Sequence, residues 1–171
     1  GEPSNFGDVI CVGSHDISGH TSVHSSVGRE LDFLAPGSRI LSSWPFIPIP
    51  QWDRNGGGPL PQERLYKFED GTSMAAPHVT GLASIFCAYA SETASALEEA
   101  KRLTRQHDFT LCTMTMRLLF REMCGSEHTQ YRGYGALAPW RLIRYLVPNH
   151  EDTSTYARNF WVNVIRRVHD V

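Results

Sequence analysis

No charge of one sign dominates the sequence. Sixteen Lys and Arg against eighteen Asp and Glu leave a formal charge of −2, so no broad field recruits nucleic acid or an anionic membrane. No apolar run reaches the roughly 18 residues that span a bilayer, and the opening "GEPSNFGD" has neither a charged n-region nor an apolar h-region. The chain does not begin with Met, which reads as processing or as a piece of something longer and leaves the compartment open. The four cysteines, Cys11, Cys87, Cys112 and Cys124, form no C-x-x-C pair. A Cys112–Cys124 disulfide is open from spacing, whereas Cys87 sits in an apolar run where a thiol packs as a small hydrophobe; such usage leans toward a reducing, intracellular setting. Internal repeats and low-complexity tracts are absent as well.

What is present fits about one ordinary domain: 171 residues, 41% of them hydrophobic, enough to bury roughly 70% of the unfolded surface. "DVICVG" (8–13) reads as a buried strand, and "LDFLAPGSRILSS" supplies two short runs broken at Pro36-Gly37. Residues 44–67 carry five prolines and three consecutive glycines, which predicts a long exposed loop. "NGGGP" within it is no phosphate cradle, since no Lys-Ser/Thr pair follows. From Ser73, "SMAAPHVTGLASIFCAYA" is small and apolar on nearly every side, the pattern of a helix buried all round. "SALEEAKRLTRQ" suggests a helix with Ser95 and Glu98 in capping-box spacing, and another helix begins near Asp108 with Leu111, Met114, Leu118 and Met123 on one stripe. "YRGYGALAP" reads as strand or turn and "WRLIRYLV" as a short helix; "FWVNVIRRVHDV" is open between strand and helix.

The chemistry centres on "GTSMAAPHVTG", Gly71 to Gly81. A serine nucleophile needs a base for its proton and donors for the developing oxyanion. Gly71 permits a sharp turn, and a serine at a helix start has an unused backbone N–H beside the positive end of the dipole. Pro77 is expected in the first turn, where its missing N–H costs nothing. On these residues alone the reading of Ser73 as a helix N-cap stands ahead of the nucleophile.

The eleven-residue string resembles the serine motif of the subtilisin-like proteases, G-T-S-M-A-x-P-H-V-x-G. "VICVG" (9–13) and "SSVGRELDFLAPG" (25–37) are similar to that family's preceding strand and loop, and "GYGALAP" (133–139) more loosely to its closing turn, with Ala136 in place of a glycine. The resemblance implies an α/β fold, the C-terminal part of a three-layer subtilisin-like domain with a parallel sheet and a buried central helix starting at Ser73. It divides the chain into a partial catalytic domain over 1–90 and a helical C-terminal part with tail over 91–171. It implies a serine endopeptidase with Ser73 as nucleophile, Gly71 and Thr72 as motif support, and a polypeptide substrate. No cofactor is required; Glu30 and Asp32 match positions of a weak calcium or monovalent-cation site, the alternative being a solvated acidic pair.

The family's aspartate motif D-[ST]-G, its histidine motif H-G-T-x-V-A-G and its A-G-N oxyanion segment do not occur. "GHTSVHSSVG" (19–28) inverts the histidine motif, so His20 reads as a loop residue, and His15, His20 and His24 lack the spacing of a metal site. His78, on the same helix as Ser73, reads as a structural core histidine. The expectation is therefore a nucleophile-bearing half that is inert alone and whose partner is the N-terminal half of the domain. The competing expectation is a non-catalytic remnant that uses the proline-rich loop to bind partners.

Overall fold

The computed structural model describes residues 9–44, 66–141 and 153–170. Strand β1 (Val12–His15) lies parallel to β2 (Phe33–Pro36), with Val12 opposite Phe33 and Ser14 opposite Ala35. The expected first strand thus lies a few residues further on than "DVICVG". Leu34 also bridges Ala136 in parallel, its N–H donating to the Gly135 carbonyl at 2.9 Å and its carbonyl accepting from Leu137 at 3.0 Å. The "YRGYGALAP" segment is therefore a turn that reaches the second edge of β2. Gly133 makes the approach possible, since a Cβ there would lie 2.2 Å from the Asp32 carbonyl oxygen, at φ +56°.

Strands β3 (Ile40–Ser43) and β4 (Tyr66–Glu69) form a separate antiparallel pair. β4 claims the last two residues of the expected loop, and residues 45–65 of that loop lie outside the described residues. Among the described residues four helices follow at full length: α1 (Thr72–Glu92), α2 (Ala94–Thr104), α3 (Thr113–Cys124) and α4 (Thr153–His169). Residues 139–141 are helical too, and the rest of the helix expected in "WRLIRYLV" lies outside the described residues. The tail left open between strand and helix is helical. Among the described residues no helix is long and apolar enough to cross a membrane.

The helices close on an aromatic cluster. Trp161 of α4 is fully buried and meets Phe86, Tyr89, Phe109 and Phe160, with ring centroids 5.0–6.4 Å apart. Its indole N–H donates to Thr93 Oγ1 at 2.7 Å, and the Thr93 hydroxyl donates to the Tyr89 carbonyl at 2.7 Å. An otherwise unsatisfied buried donor is thereby paired. Thr93, not Ser95, is the N-cap of α2, without a side-chain capping bond; Ser95 lies inside the helix, so the expected capping box does not form. In α3 the buried stripe is Met116, Leu119, Phe120 and Met123, while Met114 is exposed. The expected stripe was displaced because the helix begins at Thr113 rather than near Asp108.

The four cysteines are free. Cys112 precedes α3 and Cys124 ends it; twelve residues of helix separate them by about 18 Å, far beyond the span of roughly 4–7 Å that a disulfide bridges.

The expected all-round burial of α1 needs correction. Ala75, Val79, Leu82, Phe86 and Ala90 are buried, one stripe at helical spacing that packs on β1 and β2 and on the aromatic cluster. Ala76, Thr80, Ser84, Ile85, Cys87, Ala88 and Ser91 are exposed. The helix carries small or apolar side chains on nearly every side and is covered, in this chain, on one.

Candidate functional site

Ser73 is the second residue of α1 and is exposed. The N-cap is Gly71, which makes no side-chain capping bond, so the capping role open to Ser73 in the sequence is not the one it takes. Gly71 has φ 156° and ψ 160°, a region open essentially to glycine alone. Its N–H donates to the Gly37 carbonyl at 2.8 Å, and Gly37 N–H donates to the His15 carbonyl at 3.1 Å. The ends of β1 and β2 therefore hold the turn that delivers Ser73. Thr72 opens the helix and is half-buried. Asp70 adds a second tie, its Oδ1 accepting the Arg39 N–H at 2.7 Å.

Gly37 could be nothing larger. A Cβ there would lie 2.4 Å from Ser14 Oγ and 2.6 Å from the Gly71 carbonyl oxygen. Ser14 is buried within a hydroxyl chain: its Oγ is 2.8 Å from Ser22 Oγ and 3.3 Å from His24 Nε2, and Ser22 Oγ is 2.6 Å from Ser38 Oγ. Sequence reasoning missed Ser14, Ser22 and Ser38, because dispersed serines at these spacings carry no pattern. Gly37 was visible only as the last residue of "APG".

Pro77 lies inside α1, at its sixth residue rather than in the first turn. A helix beginning at Thr72 would pair the residue-77 N–H with the carbonyl of Ser73, so proline removes a bond from the carbonyl of the candidate nucleophile itself. His78 is exposed, with Nδ1 2.9 Å from the Met74 carbonyl oxygen, and is not a core residue. His20 is exposed in the turn closed by Asp16, whose Oδ1 accepts the His20 N–H at 3.0 Å. Among the described residues no group of three or more His, Cys, Asp or Glu could hold a metal ion.

Asp32 and Glu30 do not converge on a cation cradle. Asp32 Oδ2 accepts the Cys11 N–H at 2.8 Å, Oδ1 forms an ion pair with Arg117 Nε at 3.1 Å, and the Arg117 guanidinium also donates to the Val9 carbonyl. Glu30 is exposed. Burial pushes the Asp32 carboxyl above its ordinary value; the Cys11 N–H, then the charges of Arg117 and His128, pull it back less strongly. A cation here would compete with a guanidinium already in place, so the donor set is a poor fit.

A parallel strand pair, a glycine turn held by the strand ends and a helix presenting a serine at its start define an α/β fragment of strand–turn–helix type. A family model described as "Subtilase family" matches residues 1–111, and the chain belongs to that family. It is 34% identical over 91 residues to the major intracellular serine protease of Bacillus subtilis, covering 53% of this chain and 23% of that protein. It is 34% identical over 85 residues to subtilisin DY of Bacillus licheniformis, covering 50% of this chain and 25% of that protein. The matches to these relatives thus span about a quarter of their length. Among solved structures, fervidolysin of Fervidobacterium pennivorans, a keratinolytic enzyme related to subtilisin, matches with a TM-score of 0.57 at 23% identity, over 86% of this chain and 21% of that one. A lanthipeptide protease matches with a TM-score of 0.54 at 21% identity, over 85% and 43%. Both likenesses speak for the fold alone.

Proposed function

We propose that the chain is the nucleophile-bearing part of a subtilisin-like serine endopeptidase. The observation that carries the reading is Ser73 itself: an exposed hydroxyl at the second residue of α1, behind a glycine-only turn tied to both strand ends. In this reading Ser73 Oγ attacks the scissile carbonyl carbon while its proton passes to an imidazole outside this chain. The Ser73 N–H, which has no partner within the helix, faces the oxyanion together with the positive end of the α1 dipole. The tetrahedral intermediate expels the amine, which takes the proton from the imidazole, and water then hydrolyses the ester on Ser73.

The histidine, the aspartate and the oxyanion asparagine are assigned to the N-terminal half of the domain, because the motifs that would carry them do not occur here. The exposed side of α1, small or apolar apart from His78 and Glu92, favours the same partner, since a helix of small and apolar residues on nearly every side needs a second layer. On this account the chain is inactive alone, residues 1–90 form the catalytic part and 91–171 its helical completion. The substrate is a polypeptide. No cofactor is required, and a weakly held calcium or monovalent ion at Glu30 and Asp32 would have to displace Arg117.

The test is labelling by a serine-directed fluorophosphonate, with and without an added N-terminal half bearing the D-[ST]-G and H-G-T-x-V motifs. Labelling of Ser73 in the pair, lost in Ser73→Ala, is the expected result. Tight assembly of the two halves with no labelling of Ser73 would instead support the non-catalytic interaction module.

A further inference from the structure

A cavity of about 570 Å³ opens between α1, α3 and α4, within the range of roughly 300–1,000 Å³ common for small-molecule sites. None of its lining residues belongs to the turn around Ser73. Phe86, Leu119, Met123, Phe160 and Val164 give it an apolar floor. Trp140, about half exposed, stands in its wall next to Arg141.

The polar groups are few and of unequal sign. Arg141, Arg167, Asn163 and Glu122 complete the lining, two cations against one carboxylate. The carboxylate is already engaged, Arg167 Nη1 lying 3.4 Å from Glu122 Oε2. Arg141 uses Nη1 on the Met123 carbonyl at 2.6 Å. A guanidinium carries five N–H donors, so among the described residues each arginine keeps donors beyond these bonds. An anionic headgroup would gain charge-assisted bonds, a neutral one would gain less, and a cation would meet an excess of like charge.

We propose that this cavity binds an amphipathic monocarboxylate, its unbranched acyl chain on the apolar floor and its carboxylate between Arg141 and Arg167. The site is independent of the chemistry at Ser73.

The probe is decanoate, titrated into the whole chain below its micellar range by calorimetry and tryptophan fluorescence. Decanol and decyltrimethylammonium serve as the neutral and cationic counterparts with the same tail. The expected result is saturable decanoate binding, weakened about tenfold or more both for decanol and in Arg167→Glu. Trp140→Phe should abolish most of the fluorescence change, and Asn163→Trp, an exposed position at the lining, should narrow the site and lower affinity. Both Arg167 and Glu122 are exposed enough for Arg167→Glu to keep the fold, which circular dichroism checks. Absence of saturable decanoate binding overturns the proposal, as does decanol binding equally well. Unchanged affinity in Asn163→Trp would place binding elsewhere and overturn it too.

Discussion

The strand ends around Ser73 and the helices behind them hold together by different means. Around Ser73 the contacts are backbone bonds and close approaches: Gly71 to Gly37, Gly37 to His15, and a buried hydroxyl chain from Ser14 to Ser38. In the helices Trp161, Phe86, Phe160 and Tyr89 pack edge and face, with Thr93 tying the Trp161 indole to the Tyr89 carbonyl. The first region tolerates almost no change in residue size at its crossing points. The second depends on volume, and many apolar residues could supply it in other combinations.

That contrast can be broken from either side. Trp161→Ala should have the largest effect, a loss of about 3–5 kcal/mol from the emptied volume, with Thr93 Oγ1 losing its donor as well. Denaturant melts give the loss, and hydrogen exchange should show α2 and α4 deprotected before β1 and β2. Uniform deprotection would mean that the two regions are one cooperative unit.

Gly37→Ala attacks the other side. The added methyl meets the Gly71 carbonyl oxygen and Ser14 Oγ, so a loss of about 1–3 kcal/mol is expected. Exchange should now rise first at Gly71 and β1, and labelling of Ser73 in a reconstituted pair should fall more steeply than overall stability. A variant as stable as the parent would show that the crossing is looser than its geometry indicates.

A smaller effect concerns pH. Because the folded-state pKa of Asp32 is raised, the native protein binds more protons than the unfolded chain between the unfolded value and the folded one. Stability from this group is full below that window and falls as pH rises through it. Arg117→Gln removes the charge that pulls the carboxyl back, so the decline should become steeper and extend to higher pH. Urea melts across the acid range measure it, and a slope unchanged by the substitution would be contrary evidence.

The smallest effect is chemical. Bonds from the Thr115 N–H and hydroxyl hold the exposed Cys112 thiol below its ordinary value, whereas burial pushes Cys124 up to about 12. Iodoacetamide should therefore modify Cys112 well before Cys124 at near-neutral pH in the native protein, with Cys124 reacting only on unfolding. Equal rates at the two sites by mass spectrometry would contradict this.

The same contrast explains what the sequence made legible. Gly71, Ser73 and the "APG" turn are fixed by backbone geometry that only one or two residue types satisfy, so they survive as a readable string. β2 and β3 fell where the break at Pro36-Gly37 placed them, for the same reason. The caps and stripes of α2 and α3 were displaced by a few residues, because apolar periodicity tolerates a shift of start. Ser14 and Ser22 went unseen since their partners lie 8–16 residues away along the chain. The one-sided burial of α1 was hidden because composition reports what a helix can bury, not what lies against it.

The outer side of α1 is uncharged at Ala76, Thr80, Ser84, Cys87, Ala88 and Ser91 and built there of small side chains, with Ile85 as its large exposed hydrophobe. Covering it would remove little non-polar area from water per residue, so association there should carry a modest heat-capacity change. A second layer would then be held by closeness of fit along the helix, and a misfitted layer would gain little from the same surface.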